Sequence, residues 1–129
     1  MGDLSKDFDS SEFYSKDIYQ KLKSAGRDPI WYIDQKLVEL LQTIRNHYGK
    51  PIKITSGYRT LAENYEAKSK TEWSMHCFGK AADFVVAGVD EKQVQDYLKQ
   101  SFKGIGIGLG VGFTHIDTRN TKENVIWRY

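Results

Sequence analysis

The sequence predicts an α+β domain in which a small antiparallel sheet is flanked by helices. Three observations carry that expectation. Apolar residues recur at three- and four-residue steps from about Trp31 to Tyr48, the period of a helix buried on one side. Ile52-Lys53-Ile54-Thr55 alternates, the period of a strand. The segments then run helix, strand, helix, strand, helix, strands through 129 residues, which suits a single layered domain.

The first thirty residues are polar with scattered aromatics, Phe8, Phe13, Tyr14 and Tyr19. Residues 1–28 read as an N-terminal extension packing on one domain that spans residues 1–129. Ser10 and Ser11 before Glu12 start a short helix, and Asp28-Pro29 marks a turn or helix start, since proline suits the first helical position. In the long helix Ile33, Leu37, Leu40, Leu41, Ile44 and Tyr48 share one face, and Gly49-Lys50-Pro51 stops it. The strand over 52–55 leaves through the turn Ser56-Gly57-Tyr58-Arg59. Residues 60 to 75 are polar without clean periodicity and read as a short helix followed by a loop.

Ala81 to Val86 is apolar and β-rich, hence a buried strand. Asp90 with Gln93 resembles a capping box opening a helix through Ser101, with Val94, Tyr97 and Leu98 inward. Gly104 to Arg119 reads as one or two strands. There Gly104, Gly106, Gly108, Gly110 and Gly112 alternate with Ile105, Ile107, Leu109 and Val111, which leaves one strand face bare. No GxGxxG register fits; a bare face suits close approach of backbone or substrate.

Composition narrows the function. With 19 basic and 17 acidic residues the net charge of +2 is too balanced, and too unclustered, for a nucleic-acid partner. Lys68 and Lys70 read as a solvated loop. Cys77 is the only cysteine, which excludes an intrachain disulfide and a Cys-rich zinc site; it reads as a buried, inert thiol. The start, MGDLSKDFDSSEF, has no apolar signal-peptide core, and no stretch reaches bilayer length. Position 6 is lysine where a myristoylation motif wants serine or threonine. The expectation is a monomer made in the cytoplasm without its own export signal and with no membrane partner. His47 near the helix end suits the helix dipole, and Trp31, Trp73 and Trp127 read as core or cleft-edge aromatics.

The stretch Ser74-Met75-His76-Cys77-Phe78-Gly79-Lys80-Ala81-Ala82-Asp83 holds the chemistry. Imidazole nitrogen and carboxylate oxygen are both good zinc donors. Seven residues with Gly79 as the bend let a loop bring His76 back toward Asp83 on the strand, although on spacing alone such a pair is not specific. In Gly112-Phe113-Thr114-His115-Ile116-Asp117-Thr118-Arg119, read as a strand, Phe113, His115, Asp117 and Arg119 share one face. Polar groups in a row are costly if buried unpaired, so that face is wet or serves a site. His76, Asp83 and His115 would supply three protein ligands, leaving the open position of a catalytic zinc.

Ser-x-His-x-x-Gly-x-Ala-x-Asp followed by a late strand histidine resembles the zinc D-Ala-D-Ala carboxypeptidase and L-alanyl-D-glutamate endopeptidase family, which shares its metal site with hedgehog amino-terminal domains. Upstream, Thr55-Ser56-Gly57-Tyr58-Arg59 and Asn64 resemble the same family; downstream, Phe113 to Arg119 and Trp127 resemble its small single-domain branch of phage and bacterial cell-wall hydrolases. The likeness covers about residues 30 to 129.

The resemblance implies zinc bound by His76, Asp83 and His115, and Arg59 steadying the substrate oxyanion. It also implies a substrate cleft bordered by Ser74 and Trp73, and hydrolysis of peptidoglycan stem peptides at the cell wall. Many members carry a carboxylate base three residues before the last zinc histidine, where this chain has Gly112. Asp117 is therefore the candidate base, with Asp90, Glu66 and Glu72 behind it. Some relatives have a His-x-His pair with the second member on the metal; by that alignment Asp117 is the ligand and His115 the acid/base. Which bond is cut stays open, and so do two further readings: a non-catalytic zinc-containing binding module, and a structural component of a phage assembly.

Overall fold

The computed structural model describes residues 2–67 and 74–129. Trp73, Glu72 and the Lys68/Lys70 pair lie outside the described residues. The fold is α+β: helices α1 (Lys16–Ser24), α2 (Gln35–Tyr48), α3 (Leu61–Glu66) and α4 (Glu91–Ser101), with strands β1 (Ile52–Ser56), β2 (Ala81–Val86), β3 (Gly106–Leu109), β4 (Thr114–Asp117) and β5 (Val125–Arg128). The strands form one sheet in the order β1-β2-β4-β3-β5. Three pairings are antiparallel, and only β5 joins parallel, beside β3.

One face of the sheet is the hydrophobic core. Ile54, Ala82, Phe84, Ile107 and Ile116 point into it, and α2 and α4 cover it with Leu37, Leu41, Ile44, Val94 and Leu98. The N-terminal segment belongs to this core, since Phe8 and Phe13 are each 1% exposed and the Tyr14 hydroxyl donates to the Pro29 carbonyl over 2.5 Å. Between them, Asp9 caps a 3-10 turn at Ser10–Phe13. Helix α1 is an element the sequence reading passed over. It is capped by Ser15 and buries no residue fully; only Ile18, Tyr19 and Leu22 lean on the core, which leaves a weak apolar signal.

The long helix begins later than its periodicity suggests. Pro29–Tyr32 is a separate 3-10 turn capped by Asp28, and Ile33 is extended before α2 opens at Gln35. The apolar spacing continues through the break because both pieces feed the same core. The break has a use: the Asp34 backbone N–H donates to the Gly79 carbonyl (2.8 Å), and its carboxylate accepts from Thr118 Oγ1 (2.6 Å) in place of capping the helix. The Asp90–Gln93 capping box does not form, for Asp90 makes no side-chain cap bond. Thr60 and Glu63 form one instead, at the start of α3. Among the described residues no helix is long and apolar enough to cross a membrane.

The register of the sheet sets up the second face. Asp83 pairs with His115, His115 with Gly108, and Gly108 with Trp127, so one row crosses β2, β4, β3 and β5. An irregularity in β1 extends the row to Ser56 opposite Asp83.

Candidate metal centre

Three backbone segments converge on this row. Gly79 stands at φ +69° at the end of the Met75–Phe78 turn, and a Cβ there would run into the Tyr32 carbonyl. Only glycine meets both demands, the left-handed backbone and the close approach. The bend returns His76 to the mouth of β2. Its Nδ1 lies 2.7 Å from the Gly57 carbonyl, which can only accept, so Nδ1 carries a proton and Nε2 is the nitrogen left to meet a metal ion. That Nε2 is 3.4 Å from Asp83 Oδ1.

His115 reaches the same carboxylate from β4, with Nδ1 2.9 Å from Asp83 Oδ1. Its other nitrogen, Nε2, is 2.8 Å from Asp117 Oδ2. All four residues are buried, and Asp117 is fully so. The row of polar groups predicted on β4 is thus neither wet nor unpaired: its members bond to one another.

Arginines close the cluster on both sides. The Arg59 guanidinium lies 3.6 Å from Asp83 Oδ2 and donates to Ser56 Oγ (3.1 Å) and Asn64 Oδ1 (3.4 Å). Ser74 Oγ donates to the same Asn64 oxygen at 2.9 Å, so Ser74, Asn64 and Arg59 form one polar chain leading to Asp83. Arg119 grips Asp117 with Nε and Nη2, each at 2.7 Å, and its guanidinium lies over the Trp127 ring, 4.9 Å from the centroid.

Charge follows from this pairing. Burial by itself would raise the Asp83 carboxyl, but hydrogen bonds from His115 and His76 outweigh it and hold the group well below the usual carboxylate range. Burial would likewise raise Asp117; bonds from Arg119 and His115 bring it down to about 2. Burial would lower His115, yet its bonds to Asp117 and Asp83 leave it raised. An imidazole facing two carboxylates must donate from both nitrogens, so the metal-free His115 is the imidazolium.

The donor set fits a zinc ion. One atom each from His76, Asp83 and His115 lie within 4.8 Å of one another. Tetrahedral zinc with bonds of ~2.0–2.2 Å sets its donors roughly 3.4 Å apart; from Asp83, the separation to His76 matches that value at 3.4 Å and the one to His115 falls short of it at 2.9 Å. Asp117 stands behind His115, with both oxygens engaged and no exposed surface.

Of the residues singled out from sequence, Arg59, His76, Asp83, His115 and Asp117 come together here. Ser74 joins them through Asn64, and Trp73 lies outside the described residues. Glu66 is exposed on α3, and Asp90 stands at the start of α4. What sequence reasoning missed is β5. Trp127 sets its ring 5.0 Å from His115, and Tyr129 sets its ring 5.1 Å from Phe113. The signal was the bare glycine face of β3. A Cβ on Gly106 would strike the Asp117 carboxylate, one on Gly110 the Phe113 ring, and one on Gly108 both His115 and Tyr129.

A family model described as Peptidase M15 matches residues 7–117, beginning well before the stretch that carries the sequence motifs. No curated protein and no solved structure matches the chain.

Proposed function

The chain belongs to the peptidase M15 family and is a zinc-dependent metallopeptidase; we propose that, acting as a monomer, it hydrolyses the stem peptides of bacterial peptidoglycan. The observation that carries the proposal is the convergence of His76, Asp83 and His115 with the Arg59 guanidinium beside them. The Ser74–Asp83 motif, with its likeness to cell-wall peptidases, supports the substrate class and an action at the wall, phage-borne lysis included.

His76, Asp83 and His115 would hold the ion, leaving a position for substrate. A bound zinc supplies Lewis acidity, polarising a carbonyl and making water nucleophilic near neutral pH. Arg59, held by Ser56 and by the Ser74–Asn64 chain, presents a fixed cation where a peptide carbonyl oxygen gains negative charge. Ser74 therefore acts on the substrate through Arg59. Asp117 accepts from His115 Nε2 and so fixes the ring with Nδ1 toward the ion, as carboxylates behind metal-binding histidines do. That geometry supports His115 over Asp117 as third ligand, and supports reading Asp117 as a positioning residue in place of the base expected from its strand face.

One observation favours a second reading, a zinc-containing binding module. Gly112 occupies the usual base position and both Asp117 oxygens are engaged, so no carboxylate is left free beside the three donors among the described residues. Mass spectrometry of purified muropeptides incubated with the protein separates the two. Cleavage that disappears with a chelator and returns with zinc is expected; intact muropeptides at full zinc loading would favour the binding module. The masses of the products would name the bond.

A further inference from the structure

Strand β5 lies beyond the residues matched by the family model, yet it forms a wall of the metal centre. It pairs with β3, whose face toward the site carries no side chains at Gly106 and Gly108. Aromatic rings from β5 and from Tyr129, the residue after it, therefore lean across β3 toward β4. The clearest case is Tyr129. A methyl group placed on Gly108 would be 2.8 Å from Tyr129 Cε2, 3.1 Å from the Tyr129 hydroxyl oxygen and 2.8 Å from the Cβ of His115. The hydroxyl end of Tyr129 and the root of the ligand His115 thus meet in the space of one missing side chain.

We propose that Tyr129 is a catalytic residue of this centre, its phenol hydroxyl donating a hydrogen bond to the carbonyl oxygen of a bound peptide as that oxygen becomes an oxyanion. The inference rests on the peptidase reading for the identity of the ligand. Three features support it. The ring is anchored, tilted against Phe113 at 5.1 Å and next to Trp127 at 6.4 Å, while the residue as a whole remains 66% exposed and open to a ligand. The hydroxyl stands in the field of the centre, since the charges of Asp83, Arg59 and Asp117 all act on it. A phenol, with an ordinary pKa of about 10, keeps its proton at neutral pH, so the hydroxyl remains a donor. Arg59 reaches Asp83 from the β1 side and Tyr129 approaches across β3, so the two donors flank the row from opposite sides.

The test compares Tyr129→Phe, which keeps the ring contacts and loses only the hydroxyl, with wild type in two zinc-loaded assays. The first is calorimetric binding of a phosphinate pseudodipeptide, whose tetrahedral oxygens copy the oxyanion. The second is muropeptide turnover. The expected result is unchanged zinc affinity, with phosphinate binding and kcat both lower by about 10²-fold, the scale of one lost oxyanion donor, and KM unchanged. Phosphinate binding that is equal in Tyr129→Phe and wild type, or absent in wild type, overturns the inference. If wild type binds phosphinate, Tyr129→Phe binds it more weakly, and neither cleaves muropeptides, the role of Tyr129 stands and the peptidoglycan reading falls.

Discussion

His115 Nε2 lies 2.8 Å from Asp117 Oδ2, and both oxygens of that carboxylate are also held by Arg119. The imidazole is therefore clamped from behind, and its remaining nitrogen points at Asp83. Such a clamp decides which nitrogen meets a metal ion and restricts how far the ring can turn.

Asp117→Asn tests that role directly. If Asp117 orients the ligand, zinc affinity falls by about 10- to 100-fold, the usual cost of losing a carboxylate behind a metal-binding histidine. Competition against a fluorescent zinc chelator measures it. If Asp117 is the general base, zinc affinity holds while muropeptide turnover collapses, and the positioning role is wrong.

The same clamp makes metal binding proton-linked. The raised His115 carries a proton on Nδ1 in the metal-free protein, and that proton must leave before the nitrogen can bind zinc. Below the raised pKa, zinc binding should release about one proton per ion, and apparent affinity should climb with pH until His115 is neutral. Calorimetry in buffers of different ionisation enthalpy counts the proton; zero release across that range would show that His115 was already neutral.

Acid should act on the metal-free protein through Asp117. Its carboxyl is depressed, so the stability it contributes is present above the unfolded value near 4 and is lost as pH falls through about 2. A shift from 3.8 to about 2 corresponds to about 2 kcal/mol. Urea unfolding between pH 5 and 2 should show that loss in wild type and a much shallower one in Asp117→Asn.

Arg59→Ala should lower turnover by about 10²-fold or more, the scale for an oxyanion donor, and leave zinc bound. Its guanidinium lies 3.6 Å from Asp83 Oδ2 but is always protonated and has no lone pair to give a metal, so zinc binding should not depend on it. Wild-type turnover in this variant would remove Arg59 from the mechanism.

Gly79→Ala places a methyl group in a left-handed backbone position and against the Tyr32 carbonyl. The backbone conformation alone costs about 1 kcal/mol and the clash adds to it. Thermal unfolding should occur several degrees lower, with weaker zinc binding because this bend aims His76. An unchanged melting temperature would mean that the loop relaxes without using the bend.

The sequence by itself determined the kinds of atoms and their approximate places. The spacing from His76 to Asp83, the alternation of β4 and the stop after Tyr48 are local patterns, and local patterns are what a one-dimensional reading can see. They were enough to gather five of the residues that meet at the centre. They could not show α1, whose partly buried Ile18, Tyr19 and Leu22 make only a faint stripe. Nor could they show that Asp90 caps nothing, because a cap is a matter of side-chain direction and not of residue type.

Only the tertiary structure decided what the residues do to one another. The register that aligns Asp83, His115, Gly108 and Trp127 depends on β2 and β4 being neighbours in the sheet although Asp83 and His115 stand 32 residues apart in the chain, and β5 joins that sheet in parallel. The alternating glycines were legible as a bare face, but what covers it was not. Asp117 and His115 from β4, with Phe113 just before it and Tyr129 just after β5, fill the gap, and no spacing along β3 can report what its neighbours send across it. The direction of each His115 nitrogen is likewise set by carboxylates on two different strands, a choice that exists only once those strands are side by side.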